Sequence, residues 1–223
     1  MKWLKWALGV LLLPAALSSS ITLWRMLKVA TELDQVWVPF GAGFMAFLLL
    51  FLWVPKPMWI YVVGHELTHA LWVILFGGKV RRLKATARGG HVVVTKSNVL
   101  ISLAPYFFPL YSSALILVYG LVRMWRNGPL LGALFHVGLG FTVAFHLLMN
   151  WEVLKVRQPD WMEHGMFFSG VVVWLGNGLV FGFAVSCLHG GEGIERFGAT
   201  LFQDTAWLLR NVWQIARGIG GES

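Results

Sequence analysis

Cysteine is almost absent from the chain, which has one, Cys187, in 223 residues. A single cysteine excludes an internal disulfide, and it excludes a metal site built from several thiolates. Candidate metal ligands must therefore be sought among the histidines and the carboxylates.

Charged residues are also scarce. They make up 13% of the chain, and hydrophobic residues make up 57%, whereas soluble domains carry about 25% charged residues. This composition predicts one integral membrane domain. The net charge of +8 is then attributed to basic loops lying against anionic lipid, and no nucleic-acid partner is expected.

Six apolar segments are long enough to cross a bilayer. The first competes with a cleaved signal peptide, because Ala16-Leu17-Ser18 resembles a cleavage site, but Trp24 and Arg25 favour a retained span. Pro105 and Pro109 are expected to break or kink the fourth span and to free backbone groups that need other partners. The predicted spans are 1–24, Val36–Val54, Met58–Phe76, Val99–Val122, Leu130–Trp151 and Met166–Leu188, with polar connections at 25–35 and 152–165.

Two further elements are predicted outside the spans. Residues 79–97 are basic and contain Gly89-Gly90 between short alternating runs, which indicates a β-hairpin. Apolar residues recur at helical spacing in 192–223, which indicates an amphipathic helix. The predicted fold is an all-α membrane protein with a hairpin between its third and fourth spans, divided into a membrane domain, 1–191, and a tail, 192–223.

The charge distribution gives an expected orientation. With six spans, the connections 25–35, 79–97 and 152–165 share one membrane face, which carries ten of the 18 Lys and Arg residues. The positive-inside rule then predicts that 79–97 is cytoplasmic. The short loops favour a prokaryotic cell membrane.

The third span contains the sequence His65-Glu66-Leu67-Thr68-His69. Residues i and i+4 share one face of a helix, so His65 and His69 can bind one metal ion, with Glu66 beside them as a general base. This H-E-x-x-H pattern is typical of zinc metalloproteases. The alternatives are a structural hydrogen-bond cluster and a proton relay, since polar groups inside a membrane need partners.

A catalytic zinc ion usually has three protein ligands and one open position. No carboxylate lies between His69 and Glu152, so the third ligand must be remote in sequence. Asp160 is preferred because Pro159 fixes the backbone before it, and because its loop is expected on the side where the third span ends. The candidates are Glu152, Asp160, Glu163, His164, His136 and His146.

The segment Val62–Leu71 resembles the signature of the site-2 protease family of intramembrane zinc metalloproteases. Phe76-Gly77-Gly78-Lys79-Val80 resembles the turn and hairpin that follow in that family. Asn150, Pro159 and Asp160 match its later segment, although Trp161 stands where the family has Gly. The chain is thus similar to a compact, divergent member of this family.

The resemblance implies hydrolysis of a peptide bond in a membrane-embedded protein substrate. It implies one Zn²⁺ ion on His65, His69 and Asp160, with Glu66 as base and Asn150 as a donor to the developing oxyanion. The strand Gly90, His91, Val92, Val93 and Val94 is expected to pair with the extended substrate.

A different class of protein uses the same residue types. A non-catalytic metal or proton transporter, or a membrane scaffold, also places His and Glu inside the bilayer. Glu66 distinguishes the protease hypothesis from the metal-carrier hypothesis, because a protease needs Glu66 as its base and a metal carrier does not. Haem binding through His136 or His146 suits the motif less well, since axial ligands approach from opposite faces.

Overall fold

The structure, a computed structural model, describes residues 2–29, 34–86, 89–187 and 190–219. The elements within these ranges confirm the predicted helical fold with a hairpin before the fourth span and a helical tail. In chain order they are α1 (Lys2–Val29), α2 (Asp34–Trp53), α3 (Met58–Leu75), β1 (Val80–Thr86), β2 (Gly89–Val94), α4 (Val99–Phe107), α5 (Leu110–Arg123), α6 (Pro129–Leu154), α7 (Pro159–His164), α8 (Met166–Cys187) and α9 (Gly190–Ile219).

Within the part of the chain that the structure describes, five helices are long and apolar enough to cross a membrane, namely α1, α2, α3, α6 and α8. Helices α4 and α5 are long and apolar enough only when taken together, and they are bent by 73° at their junction. The described helices are therefore those of a multi-pass membrane protein, with five spans, or six if the bent pair crosses.

The bend lies at Phe108 and Pro109, whereas Pro105 lies inside α4. The residue before a proline is disfavoured in the α conformation, and Phe108 is extended, with φ −104° and ψ 107°. Pro109 then caps the start of α5.

Both predicted polar connections are shorter than expected. Residues 25–29 continue α1, and residues 152–154 continue α6. The remainder of the second connection contains α7, which begins at Pro159 because proline is favoured in the first turn of a helix. Gly89 and Gly90, expected at the turn of the hairpin, belong instead to β2, where they pair with Thr86 and Ala85. Residues 87–88, and Leu188, the predicted end of the sixth span, lie outside the described residues.

The chain forms two compact units by its internal contacts, Leu33–Glu163 and the combination of Met1–Glu32 with His164–Ser223. The predicted functional division at residues 191 and 192 stays a prediction. In the second of these units, Ser19 of α1 packs directly on Gly178 of α8. Asp204 of α9 accepts a hydrogen bond from Thr22 and pairs with Arg25 at 2.8 Å, so the amphipathic tail is fastened to α1.

The core of unit Leu33–Glu163 joins α2, α3 and α6. Its buried residues are Phe47, Tyr61, Val62, Ala144, Phe145, Met149 and Val153. Tyr61 and Val62 belong to the same helix as the H-E-x-x-H sequence, so this core fixes the rotation of α3 and the direction in which its histidines point.

Helices α2 and α6 pack closely because each has a glycine at the contact. A Cβ atom at Gly43 would collide with the backbone of Val137, and one at Gly140 would collide with the backbone of Phe40. A side chain at either position would force the helix backbones apart.

We expect Gly140→Leu to destabilise the protein by about 1–3 kcal/mol, the usual range for overpacking. Thermal unfolding in detergent measures the effect. Gly41→Leu is the matched control, because a Cβ atom there meets no other atom within 4 Å. Equal midpoints for the two variants would show that the close packing of α2 on α6 is not needed for stability.

Candidate metal centre

Helix α3 places His65 and His69 on one face, one turn apart, with their imidazole Nε2 atoms 3.2 Å from each other. The short helix α7 brings Asp160 to the same point. Its Oδ2 atom lies 3.3 Å from His65 Nε2 and 3.6 Å from His69 Nε2. Among the described residues, this is the one group of three or more His, Cys, Asp or Glu side chains with ligand atoms clustered closely enough to hold a metal ion.

The three distances suit a tetrahedral ion. With bonds of 2.0–2.1 Å, ligand atoms around tetrahedral zinc lie about 3.3 Å apart. The measured separations of 3.2, 3.3 and 3.6 Å are close to this value on all three sides of the triangle. Two imidazoles and one carboxylate are also a ligand set that catalytic zinc uses.

The hydrogen bond on the far side of His69 determines which of its nitrogens is free. His69 Nδ1 lies 2.8 Å from the backbone oxygen of Ile101. A carbonyl only accepts, so Nδ1 donates its proton and Nε2 of the neutral ring keeps its lone pair. Ile101 O is open to His69 because Pro105, four residues later, has no N–H to complete the helical bond.

His65 is held in the same way through a side-chain relay. The Tyr61 hydroxyl donates to Asn150 Oδ1 at 2.9 Å, so its oxygen is left to accept from His65 Nδ1 at 3.3 Å. The amide nitrogen of Asn150 in turn faces the backbone oxygens of Pro105 and Tyr106, at 3.4 Å each. Pro109 cannot donate to Pro105 O, which leaves that oxygen open to Asn150.

Asp160 is positioned by Tyr106, whose hydroxyl donates to Oδ2 at 3.1 Å. A hydroxyl donor at this oxygen favours the ionised form of Asp160, which is the form that binds a metal ion.

Glu66 lies beside the cluster, and its side chain belongs to the lining of the adjoining cavity. The residue is only 6% exposed, and no hydrogen bond or ion pair joins its carboxylate to a described residue. Strand β2 lies directly against it. A Cβ atom at Gly90 would lie 2.6 Å from Glu66 Cγ and 2.8 Å from Oε1, so only glycine allows this close approach.

The cavity beside the cluster has a volume of about 700 Å³. Strand β2 contributes Gly89, Gly90, His91, Val92 and Val94 to its wall, and no described residue of β1 does so. Successive side chains of a strand point to opposite faces of the sheet, and residues of both faces of β2 line the wall. The cavity is therefore bordered by the edge of β2 that faces away from β1, and not by one face of the hairpin. Val93 does not line it.

The charged lining of the cavity is acidic, although the chain as a whole is basic. It consists of four carboxylates, and no Lys or Arg of the described ranges is part of it. The carboxylates are Glu66, Glu152, Asp160 and Glu163.

The other candidate ligands lie outside the cluster. Glu152 pairs with Lys155 at 2.8 Å, and Glu163 lines the cavity without joining the group. His164 lies 2.9 Å from Lys5, and His146 lies behind His65, next to Asn150. His136 is also absent from the group.

Tyr61 and Tyr106 were not singled out from the sequence. Tyr61 stands one helical turn before His65, and this i, i+4 spacing was the available signal. Tyr106 carries no such signal, because only the fold brings α4 to α7. Asn150 is brought to the site, but it contacts His65 through Tyr61 and does not line the cavity.

Comparisons of the chain with protein-family models, with curated proteins and with solved structures find no match.

We expect Pro105→Ala to supply an N–H that competes with His69 for Ile101 O. The fraction of His69 protonated at Nδ1 should then fall, which ¹⁵N NMR of histidine-labelled protein measures. Pro39→Ala, at a proline inside α2, is the matched control and should leave the His69 spectrum unchanged. An unaltered His69 spectrum in Pro105→Ala would contradict the role given to the missing N–H.

Proposed function

We propose that the protein is an intramembrane zinc metalloprotease that hydrolyses a peptide bond of a membrane-embedded substrate. The observation that carries this proposal is the convergence of His65 Nε2, His69 Nε2 and Asp160 Oδ2 within 3.2–3.6 Å of one another. Both histidines belong to a helix that is apolar enough to span a membrane. One Zn²⁺ ion per chain suits this group, with the protein in a prokaryotic cell membrane.

The relay bonds support the choice of a cation. With both Nδ1 atoms acting as donors to protein oxygens, the two Nε2 lone pairs and the carboxylate oxygen point at one place. Three electron-rich atoms at these separations repel each other unless a positive charge lies among them. A zinc ion bound there would polarise a carbonyl and lower the pKa of water.

Glu66 is the base of the proposed reaction. Its carboxylate adjoins His65 in sequence, lines the cavity and has no partner among the described residues that would occupy it. In the proposal it accepts the proton of the attacking water and returns it to the leaving amine. Because Glu66 is buried, proton transfer takes place away from bulk water.

The edge of β2 holds the substrate in this account. A peptide bond in a transmembrane helix is shielded by the hydrogen bonds of the helix, so the substrate must unwind before cleavage. The unpaired N–H and C=O groups of β2 can pair with the unwound segment as an added strand. Gly90 lets that strand lie against Glu66, which brings the paired segment to the base.

Asn150 receives a positioning role here instead of the oxyanion role that the family resemblance implies. Its amide is directed to Tyr61 and to two backbone oxygens, and it has no surface on the cavity. It orients His65 through Tyr61. A metal carrier is less well supported, because it gives no role to the carboxylate of Glu66, which lines the cavity.

The proposal is tested by zinc analysis of the detergent-purified protein together with cleavage of reconstituted single-span membrane proteins. Wild type should hold about one zinc, Asp160→Ala should lose it, and Glu66→Gln should keep zinc but lose cleavage by at least 100-fold, in line with removal of a general base. Glu195→Gln, at an exposed position of α9, is the matched control and should behave as wild type.

A metal-free wild type, or zinc bound unchanged by Asp160→Ala, would contradict the three-ligand site. Unchanged cleavage by Glu66→Gln would contradict the role of the base and would favour a metal-binding protein without this chemistry.

A further inference from the structure

Helices α3 and α6 run in opposite directions. Met58 near the start of α3 packs on the same core cluster as Val153 near the end of α6. Tyr61 bonds to Asn150 at 2.9 Å, and further along α3, His65 shares a small cavity with His146. A chain with six alternating spans requires its third and fifth spans to be parallel, and these two are antiparallel.

The packing of α2 and α5 on α6 agrees with this direction. Helix α2 is parallel to α6, with Phe40 against Gly140 and the rings of Phe47 and Phe145 5.4 Å apart. Six alternating spans would make the second and fifth spans antiparallel.

Helix α5 is antiparallel to α6. Near the start of α5, Ser112 donates to Thr142 at 2.9 Å, and near its end the ring of Tyr119 stacks on Phe135 at 3.9 Å. Helices α3 and α5 therefore point the same way and end on the same membrane face.

The other compact unit gives independent support. Helices α1 and α8 lie side by side and are parallel, because Lys5 bonds to His164 at 2.9 Å and Ser20 accepts from Trp174 at 2.7 Å. In a chain with six spans, the first and the last span would be antiparallel. Two parallel spans must be separated by an odd number of crossings. Helices α2, α3 and α6 provide three crossings between α1 and α8, which agrees with the observed parallel packing.

We propose that the segment between the end of α3 and the start of α6 is re-entrant, and that the chain crosses the membrane five times. The segment enters the membrane beside the end of α3, bends at Phe108 and Pro109, and returns to the same face. The 73° bend between α4 and α5 is the turning point.

This topology sharpens the charge asymmetry. The face where α3 ends receives 13 of the 18 Lys and Arg residues, whereas six crossings give ten and eight. The opposite face keeps Lys2, Lys5, Lys56, Lys155 and Arg157. If the four cations at positions 81, 82, 84 and 88 are left out, nine Lys and Arg residues remain on the face where α3 ends and five on the opposite face. The positive-inside rule therefore predicts that the face where α3 ends is cytoplasmic.

Exposed residues line the cavity towards both faces. Val156, Pro159 and Glu163 are exposed on the side where α3 begins. Ser97 is exposed on the side where α3 ends, where the neighbouring Lys96 donates to Phe76 O at 3.2 Å. The five-crossing topology therefore does not depend on which face supplies water or substrate.

Labelling of single cysteines in sealed vesicles with a membrane-impermeant maleimide tests the topology. Cys187→Ser removes the natural thiol, and Lys56→Cys and Lys79→Cys mark the two faces in either topology. All four probe sites, including Arg126 and Arg157, are exposed. Five crossings predict that Arg126→Cys labels with Lys79→Cys, and that Arg157→Cys labels with Lys56→Cys.

Six crossings predict the exchanged pairing, with Arg157→Cys on the face of Lys79→Cys, and that result would overturn the proposal. Labelling after detergent solubilisation confirms that each thiol is reactive, and gel filtration confirms that each variant is folded. The readout needs neither zinc nor cleavage, so a failure of the protease function leaves this result interpretable by itself.

Discussion

Two backbone oxygens, Ile101 O and Pro105 O, hold the candidate site in place. Each lies four residues before a proline, so neither receives the helical hydrogen bond that an N–H would give it. In a membrane an unfilled carbonyl is costly, and here the vacancies are filled by His69 at 2.8 Å and by Asn150 at 3.4 Å. Pro105 and Pro109 thus help to fix both histidines of the H-E-x-x-H sequence, His69 directly and His65 through Asn150 and Tyr61.

The hydrogen bonds of the two histidines determine which of their atoms carry lone pairs. Because both Nδ1 atoms act as donors, the Nε2 atoms of His65 and His69 direct lone pairs towards Asp160 Oδ2. Tyr106 holds Asp160 Oδ2 in position. The same rigid surroundings set Glu66 apart, because the close approach of Gly90 confines its side chain while leaving its carboxylate without a bond. The proposed hydrolysis would benefit from this preorganisation, because the proposed ligands and base would be held before substrate arrives.

Local patterns were enough to predict the helices, the hairpin and the pairing of His65 with His69, because helical and strand periodicity are short-range properties. Two arguments predicted Asp160 as the third ligand. The first, that Pro159 fixes the backbone before Asp160, agrees with the start of α7 at Pro159. The second was wrong, because the loop that carries Asp160 lies beside the start of α3 and not beside its end. A hydropathy pattern cannot distinguish a crossing from a re-entrant pair, and the direction of α6 is decided by contacts remote in sequence. The roles of Tyr61 and Tyr106 were missed for the same reason.

X-ray absorption at the zinc edge of the zinc-loaded, detergent-purified protein tests the central claim most directly. We predict a first shell of two imidazole nitrogens and carboxylate oxygen at about 2.0–2.1 Å, without sulfur, and loss of the carboxylate contribution in Asp160→Ala. A shell with one imidazole or with sulfur, or an Asp160→Ala spectrum identical to wild type, would contradict the site formed by His65, His69 and Asp160.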